Sequence, residues 1–456
     1  MIYLDHAATS PMPLEIREAY LDALQIVGNP SSIHSAGQRA RAVLDDARGR
    51  IAVTLGVDAI ELTFTGGGTE AVNLGIKGLY WARNAPTAGQ RAAVAAGLAP
   101  SGERPRPRIL VPRTEHHAAL DAVEWLEAHE GATLTWLEVD ALGRLRLDTL
   151  AEALGDGSDI ALLTMLHANN EVGTVQPVSE AAALAAALGV PVHVDAIAAY
   201  GNIRLDPLPP GVSALSISAH KIGGPVGVGA LVLRRGSEVV PLLHGGGQQR
   251  GRSGTMDAAG GVAFAVAAER AHAELAERAV HKRALRERLA VGIRSAVPQA
   301  VLRGAAGAVA VAVERDPALA AELDALALPG TLSFTVPGAE GDSLLMLLDS
   351  RGIAVSTGSA CQAGVPEASH VLLAMGVSEA DARGALRVTI GPATTADEID
   401  ALLEAMPEAV ARAQAAGLAA RAPRLGRGSP PPERLHGAPR VPWRYASFGS
   451  DERWRR

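Results

Sequence analysis

The residue that most plainly could do chemistry is Cys361, the one cysteine of the chain, set in "VSTGSACQAGVPEASH" at residues 355 to 370. It has no disulfide partner within the chain, and a cysteine kept for packing would more often sit among Val, Leu and Ile. Gly, Ser and Ala surround it instead, which suits a thiol that must reach something. Amine chemistry is confined as well. Among 42 basic residues only Lys77, Lys221 and Lys282 are lysines. Lys221 follows the apolar run "ALSIS", stands next to His220 and precedes a glycine turn. Lys77 falls in a helical stretch after an earlier glycine turn, and Lys282 in a long Arg-rich helical stretch. Asp195 closes "VPVHVD", where a carboxylate at the exit of a buried strand is costly unless a cation or hydrogen-bond donor meets it. "TFTGGGTEAVN" reads as strand, Gly-rich turn and helix, with free N–H groups at residues 66 to 70 suited to a phosphate. A tight strand-to-helix turn would carry the same glycines.

The elements that must hold these groups follow from periodicity. "SAGQRARAVLDDARGRIAVTL", Ser35 to Leu55, carries apolar residues at helical spacing after a serine and predicts an amphipathic helix. "IELTFT", "RILVP", "TLTWLEV", "IALLTML", "VPVHVD", "ALSIS" and "GALVLRR" are apolar runs bounded by turn signals, with Ala-rich helical stretches among them. Strands alternating with helices predict an α/β fold whose mostly parallel sheet is covered on both faces. A helical stretch from Val262 to Ala296 connects into a second region containing "GTLSFTV", "GDSLLMLLDSRG", the cysteine segment and "ALRVTIG". Residues 84–107 break the rhythm as a surface insertion, and residues 416–456, rich in Pro and Arg, predict a disordered tail.

A lysine, an isolated acid and a phosphate cradle, all at strand ends, match the needs of pyridoxal phosphate. That cofactor takes a lysine covalently, an acid that keeps its ring nitrogen protonated, and donors for its phosphate. The motifs run further. "YLDHAATSPMP", "GNPSSIHSAGQRA", "GGGTEAVN", "TEHHAAL", "HANNEVGTVQP", "HVDA", "SAHKIGGPVGVGAL", "GGGQQRGRSGT", "STGSACQAG" and "LRVTIGPATTADEID" appear in that order between residues 3 and 400. On these motifs the chain resembles the NifS/IscS-type cysteine desulfurases, in the class V branch of the fold-type I pyridoxal-phosphate enzymes.

The resemblance implies a large domain, residues 18–261, built on a seven-stranded sheet, and a smaller α+β domain from residues 1–17 and 262–400. It implies that Lys221 holds the cofactor, Asp195 pairs with its ring nitrogen, His116 stacks on the ring and moves protons, and Asn170 reaches the ring hydroxyl. Gly68, Thr69, Ser218 and His220 would bind the phosphate, joined by Thr255 from the second subunit of a homodimer. Arg387, with Asn29, would bind the substrate, L-cysteine, the guanidinium fork suiting a carboxylate. Cys361 would take the substrate sulfur as a persulfide, leave L-alanine, and pass the sulfur to an acceptor protein, an iron-sulfur scaffold or a tRNA-thiolating enzyme.

Other classes recede. No Gly-Lys-Ser or Gly-Lys-Thr makes a P-loop, a formal charge of -7 gives no nucleic-acid footprint, and one cysteine excludes multi-thiolate metal sites. His116, His117, His167 and His193 lack the spacing of a metal set. Asp5 and His6 interrupt the place of a signal peptide, and no segment offers the ~18 apolar residues of a span, so a cytoplasmic protein without membrane contact is expected. The sequence departs from the family's pattern at Ala198, where Gln is usual, at Ala71 and Val72, and in a segment one residue short ahead of Arg252. These departures leave open a selenocysteine lyase, an aminotransferase of the same class, or a weakly active paralogue that acts as a binding partner.

Overall fold

The computed structural model describes residues 1–85, 105–358 and 368–421. Its strands are β1 (Ile2–Tyr3), β2 (Leu62–Thr65), β3 (Arg108–Pro112), β4 (Thr133–Leu137), β5 (Ile160–Leu166), β6 (Val192–Asp195), β7 (Val212–Ser218), β8 (Gly229–Leu233), β9 (Val301–Arg303), β10 (Thr331–Thr335), β11 (Ile353–Ala354) and β12 (Ala385–Thr389). Seven of them form one sheet in the order β2-β8-β7-β6-β5-β3-β4. β8 runs antiparallel to both β2 and β7, and the other pairings are parallel. Every residue of β5 is buried, as a central strand covered on both faces requires.

The period of two along each strand sends side chains to two different cores. Leu110, Leu163, Met165, Val194 and Ile217 face the core under the helices Ser35–Leu55 and Ala258–Ala273. Ile109, Val111, Ala161 and Leu231 face the helices Gly68–Arg83 and His117–Glu130. Helix Ser35–Leu55 begins and ends where its periodicity does, with the His34 side chain accepting from Gly37 N–H and Gly56 closing it in the left-handed region.

A further core gathers the start of the chain with its later part. β1 pairs with β11, β9, β10 and β12 form an antiparallel sheet, and Leu4 packs with Leu289, Phe334, Leu344 and Ile399. The helical stretch expected from Val262 to Ala296 is two helices, Ala258–Ala273 and Leu275–Ala296, broken at Glu274. The Glu274 carboxylate accepts from Arg270 and Arg278, one turn to either side. The break lets the first helix face the large sheet and the second face the smaller core. Helix Ala396–Arg421 continues past residue 416, while residues 422–456, most of the expected tail, and residues 86–104 of the expected insertion lie outside the described residues. No helix of the described residues is long and apolar enough to cross a membrane.

Beneath helix Gly68–Arg83, His193 is fully buried between two hydroxyls, Thr164 Oγ1 and Ser216 Oγ, each 2.9 Å away. Its ring fills the space that a Cβ at Gly75 would occupy. Gly75→Ala should therefore lower stability, overpacking of about 1–3 kcal/mol exceeding a helix-propensity gain of about 1 kcal/mol. Gly49→Ala, on a helix face with open space, should raise stability instead; chemical denaturation of the two variants checks the opposite signs.

Candidate active site

The carboxyl ends of β3, β5, β6 and β7 converge, and the crevice outside such ends is where an open α/β sheet takes its ligands. Asp195 ends β6 and lies beside Ser216 of β7, the strand that leads into Lys221. The Asp195 carboxyl is buried and accepts from Ile197 N–H at 2.9 Å. Burial pushes its pKa up to about 6 against the opposing pull of that donor and of Lys221.

Lys221 sits in a short turn, His220–Ile222, closed by Gly223 in the left-handed region. Its Nζ donates to the carbonyls of Ala7 and Ala8. Ser10 holds the turn from the same N-terminal segment, its Oγ donating to the Lys221 carbonyl at 2.9 Å. Burial, then the Arg387 charge, lowers the Lys221 pKa to about 8, with Asp5 and Asp195 pulling the other way. His220 meets Thr9 Oγ1 at 3.3 Å, and burial with Lys221 nearby brings its pKa down to about 4.

The Gly-rich turn opens helix Gly68–Arg83, whose first-turn N–H groups have no partner within the helix. One donor of the stretch is already taken, since Gly66 N–H donates to Glu70 Oε2 at 2.7 Å. Ser218 completes the cradle. Its hydroxyl is 1% exposed and has no hydrogen-bond partner among the described residues, and a Cβ at Gly68 would come within 3.2 Å of its Cβ. An orphaned buried hydroxyl beside a helix N-terminus fits the phosphate of pyridoxal phosphate, and Lys221 and Asp195 fit its aldehyde carbon and ring nitrogen. Thr69 is exposed at the same helix start.

His116 caps helix His117–Glu130, Nδ1 accepting from Ala118 N–H at 3.1 Å. That bond places the proton of the neutral ring on Nε2. Burial comes first and the charge of Lys221 second in lowering its pKa to about 4. Asn169, fully buried, shapes the turn after β5 by accepting from Glu171 and Val172 N–H and donating to the Thr114 carbonyl. Asn170, half-buried, takes Arg387 Nη1 on its carbonyl at 2.9 Å. Arg387 is buried, and its other terminal nitrogen pairs with Asp5 Oδ1 at 2.7 Å.

Lys221, Asp195, His116, His220 and Arg387 thus act on one another electrostatically, with Asn170 bonded to Arg387 and Gly68 packed against Ser218. Asn29 and Thr255 lie at the surface of the single chain, and the Asn29 side chain accepts from Ser31 N–H. Cys361 lies outside the described residues; the flanks of its segment, Gly358 and Ser369, both meet the buried Glu171.

Sequence reasoning passed over three acids. Asp5 pairs with Arg387. Glu115 accepts from Leu166 N–H on Oε1, while Oε2 is buried without a partner among the described residues, and burial holds its pKa well above the carboxylate range. Glu171 accepts from Ser369 Oγ at 2.6 Å. All three sit inside motifs quoted above, "YLDHAATSPMP", "TEHHAAL" and "HANNEVGTVQP", so their proximity to the reactive residues was the available signal.

The family model for aminotransferase class-V matches residues 2–87 and 77–402. An "IscS-like cysteine desulfurase" of Mycobacterium tuberculosis is 46% identical over 421 residues, covering 92% of this chain and 99% of the relative. Among solved structures, a "NIFS-LIKE PROTEIN" superposes with a TM-score of 0.75 at 32% identity, over 90% of this chain and 99% of that one. A structure titled "SspA in complex with cysteine" superposes with a TM-score of 0.66 at 29% identity, over 87% of this chain and 100% of that one.

The raised pKa of Asp195 has a thermodynamic sign. The folded, cofactor-free chain prefers the protonated carboxyl, so this group's contribution is present below the unfolded pKa and is lost as pH rises through about 6. Cofactor-free Asp195→Asn should be more stable than the parent at pH 7, by on the order of 3 kcal/mol, and the difference should close as pH falls toward 4. The buried histidines His116, His167, His193 and His220, whose lowered pKa values cost stability as pH falls, are common to both proteins and cancel. Denaturant titrations of the two cofactor-free proteins across this range read the difference.

Proposed function

The chain belongs to the aminotransferase class-V family, among its IscS-like cysteine desulfurases, and from that membership we propose how its own residues remove sulfur from L-cysteine. The carrying observation is the placement of Lys221 and Asp195 at the ends of neighbouring strands, with the orphaned Ser218 hydroxyl at the adjoining helix start.

Bound at Lys221, pyridoxal phosphate supplies an electron sink for the substrate's carbon framework. The lowered pKa of Lys221 leaves a fraction of the amine neutral near pH 7, the form that adds to an aldehyde. Asp195, raised by burial, would be drawn back to its ionised form by a positive ring nitrogen, so each favours the charge of the other. Ser218, Gly68, Thr69 and His220 hold the phosphate, with Thr255 contributed by a second copy of the chain. His116, neutral at physiological pH with Nδ1 held by Ala118 N–H, acts through Nε2, the ring position left for handling a proton. Asn170 lies where it can reach the ring hydroxyl.

Arg387 orients the substrate carboxylate, with Asn29 at the rim. Asp5 already engages that guanidinium, so the substrate exchanges one carboxylate for another rather than meeting a bare charge. The Cys361 thiolate then attacks the substrate sulfur. A sulfur–sulfur bond forms as the carbon–sulfur bond breaks, the electron pair stays with the carbon framework, and protonation there yields L-alanine. The persulfide on Cys361 is passed to an acceptor protein of iron-sulfur assembly or tRNA thiolation, in the cytoplasm.

The parent protein, carrying its cofactor, should release alanine from L-cysteine and, with a thiol reductant, sulfide. Cys361→Ala should keep the visible absorbance of the bound cofactor and release neither; a yellow parent that releases neither sinks the reading. Arg387→Lys should raise KM for L-cysteine by about 10–100-fold, the worth of one charge-assisted bidentate contact, as steady-state kinetics will show.

A further inference from the structure

Beyond the Lys221 turn the crevice continues into a cavity of about 640 Å³, bounded by the N-terminal segment, helix Leu275–Ala296 and residues 389–393. Among its charged lining groups is Lys282, a side chain that none of the steps above uses. Lys282 is 6% exposed, and its aliphatic stem packs on Gly330, where an added Cβ would stand 3.1 Å from Cδ. Nζ donates to Asn202 Oδ1 at 2.8 Å, and Asn202 donates in turn to the Ala198 carbonyl at 3.0 Å. That accounts for one of three ammonium donors.

No carboxylate pairs with Lys282 among the described residues; the nearby charge that acts on it is the cation of Arg278. Of the two acids lining the cavity, Glu274 is held by Arg270 and Arg278, leaving Glu277. Facing them are Lys282, Lys221, Arg278, His281 and His6, with the His281 ring spent on the Thr394 carbonyl. A buried charge is ordinarily paired, and among the described residues of the single chain no carboxylate meets this one. Met12, Ile222, Leu328, Ile390 and Pro392 supply apolar wall, and Ala198, with its short side chain, lines the same void.

We propose that this cavity is a second anion site, distinct from Arg387, in which Lys282 binds a small carboxylate with a short aliphatic body. Both a free amino acid and a simple short-chain acid carry that group, so L-alanine and butyrate serve as separate probes. A carboxylate there adds the missing counter-charge, and its hydrocarbon part meets the apolar wall.

Equilibrium dialysis of the cofactor-loaded full chain should find saturable binding of at least one probe, lost in Lys282→Met and retained in Arg387→Lys. Cofactor absorbance of each variant verifies its fold. Trace carbamylation with cyanate, read by mass spectrometry on the parent protein, needs no variant, and Lys77 is the internal reference. At about ten times the dissociation constant the probe should slow labelling of Lys282 relative to Lys77 about tenfold. Equal labelling with and without saturating probe, butyrate binding that survives Lys282→Met, or sulfate matching both carboxylates would each overturn the proposal. Dialysis does not read desulfuration, so a chain that binds butyrate yet releases no alanine would leave this site standing while the catalytic reading fell.

Discussion

The buried guanidinium of Arg387 is the junction through which the parts of the site are held to one another. It projects from β12 in the smaller core, takes the carboxylate of Asp5 from the N-terminal segment, and donates to the Asn170 carbonyl beyond the end of β5 in the large sheet. A buried cation of this kind is tolerated when a counter-charge and acceptors meet it, and Asp5 and Asn170 are those partners. Arg387 Nε is buried without a partner among the described residues, so the fork retains a donor. A substrate carboxylate bound there, as proposed, would meet an arginine already desolvated and oriented, which lowers the ordering cost of binding.

The electrostatics around that junction follow from the same burial. Lys221 has its pKa lowered by desolvation and by Arg387, and His116 by desolvation and by Lys221. Each cationic form is opposed by the next, so the site holds its histidines neutral, makes part of the Lys221 amine available as free base near pH 7, and keeps its structural charge on arginine. Asp195 is displaced in the opposite sense, because burial penalises the carboxylate. A cationic ring nitrogen would relieve the buried acid, and anionic groups would relieve the cations gathered around Lys221.

How much of this was legible depended on the range of the interactions. Helix Ser35–Leu55 is written in local periodicity and capping, and the structure begins and ends it at those residues. Lys221 and Asp195 were legible because strand ends can be read from apolar runs bounded by turns. The long helix from Val262 was misread because both halves are Ala-rich and helical. Only the Arg270, Glu274 and Arg278 cluster, and the two cores the halves serve, reveal the break. Asp5 was invisible as a site residue, since its partner Arg387 lies 382 positions away. The glycine turn was read as offering all its donors, but the side chain of Glu70 folds back onto Gly66 N–H, a choice that no propensity encodes. Lys282 reads from sequence as one more cation in an Arg-rich helix, and its burial depends on Gly330, in a different element.

The flanks of the cysteine segment show how one residue serves two tasks. Ser356 and Arg387 exchange backbone hydrogen bonds, so the chain leaves for Cys361 from a point fixed against the strand that carries Arg387. Gly358, in the left-handed region, lies against the Glu171 carboxylate, and Ser369 Oγ donates to the same carboxylate on the return. His370 then bonds the Glu115 carbonyl at 2.9 Å, beside His116. Departure and return are therefore registered to Arg387 and to His116, the two groups proposed to orient the substrate and to move its protons. Between these two anchors the sequence around Cys361, "GSACQAG", is built of small residues.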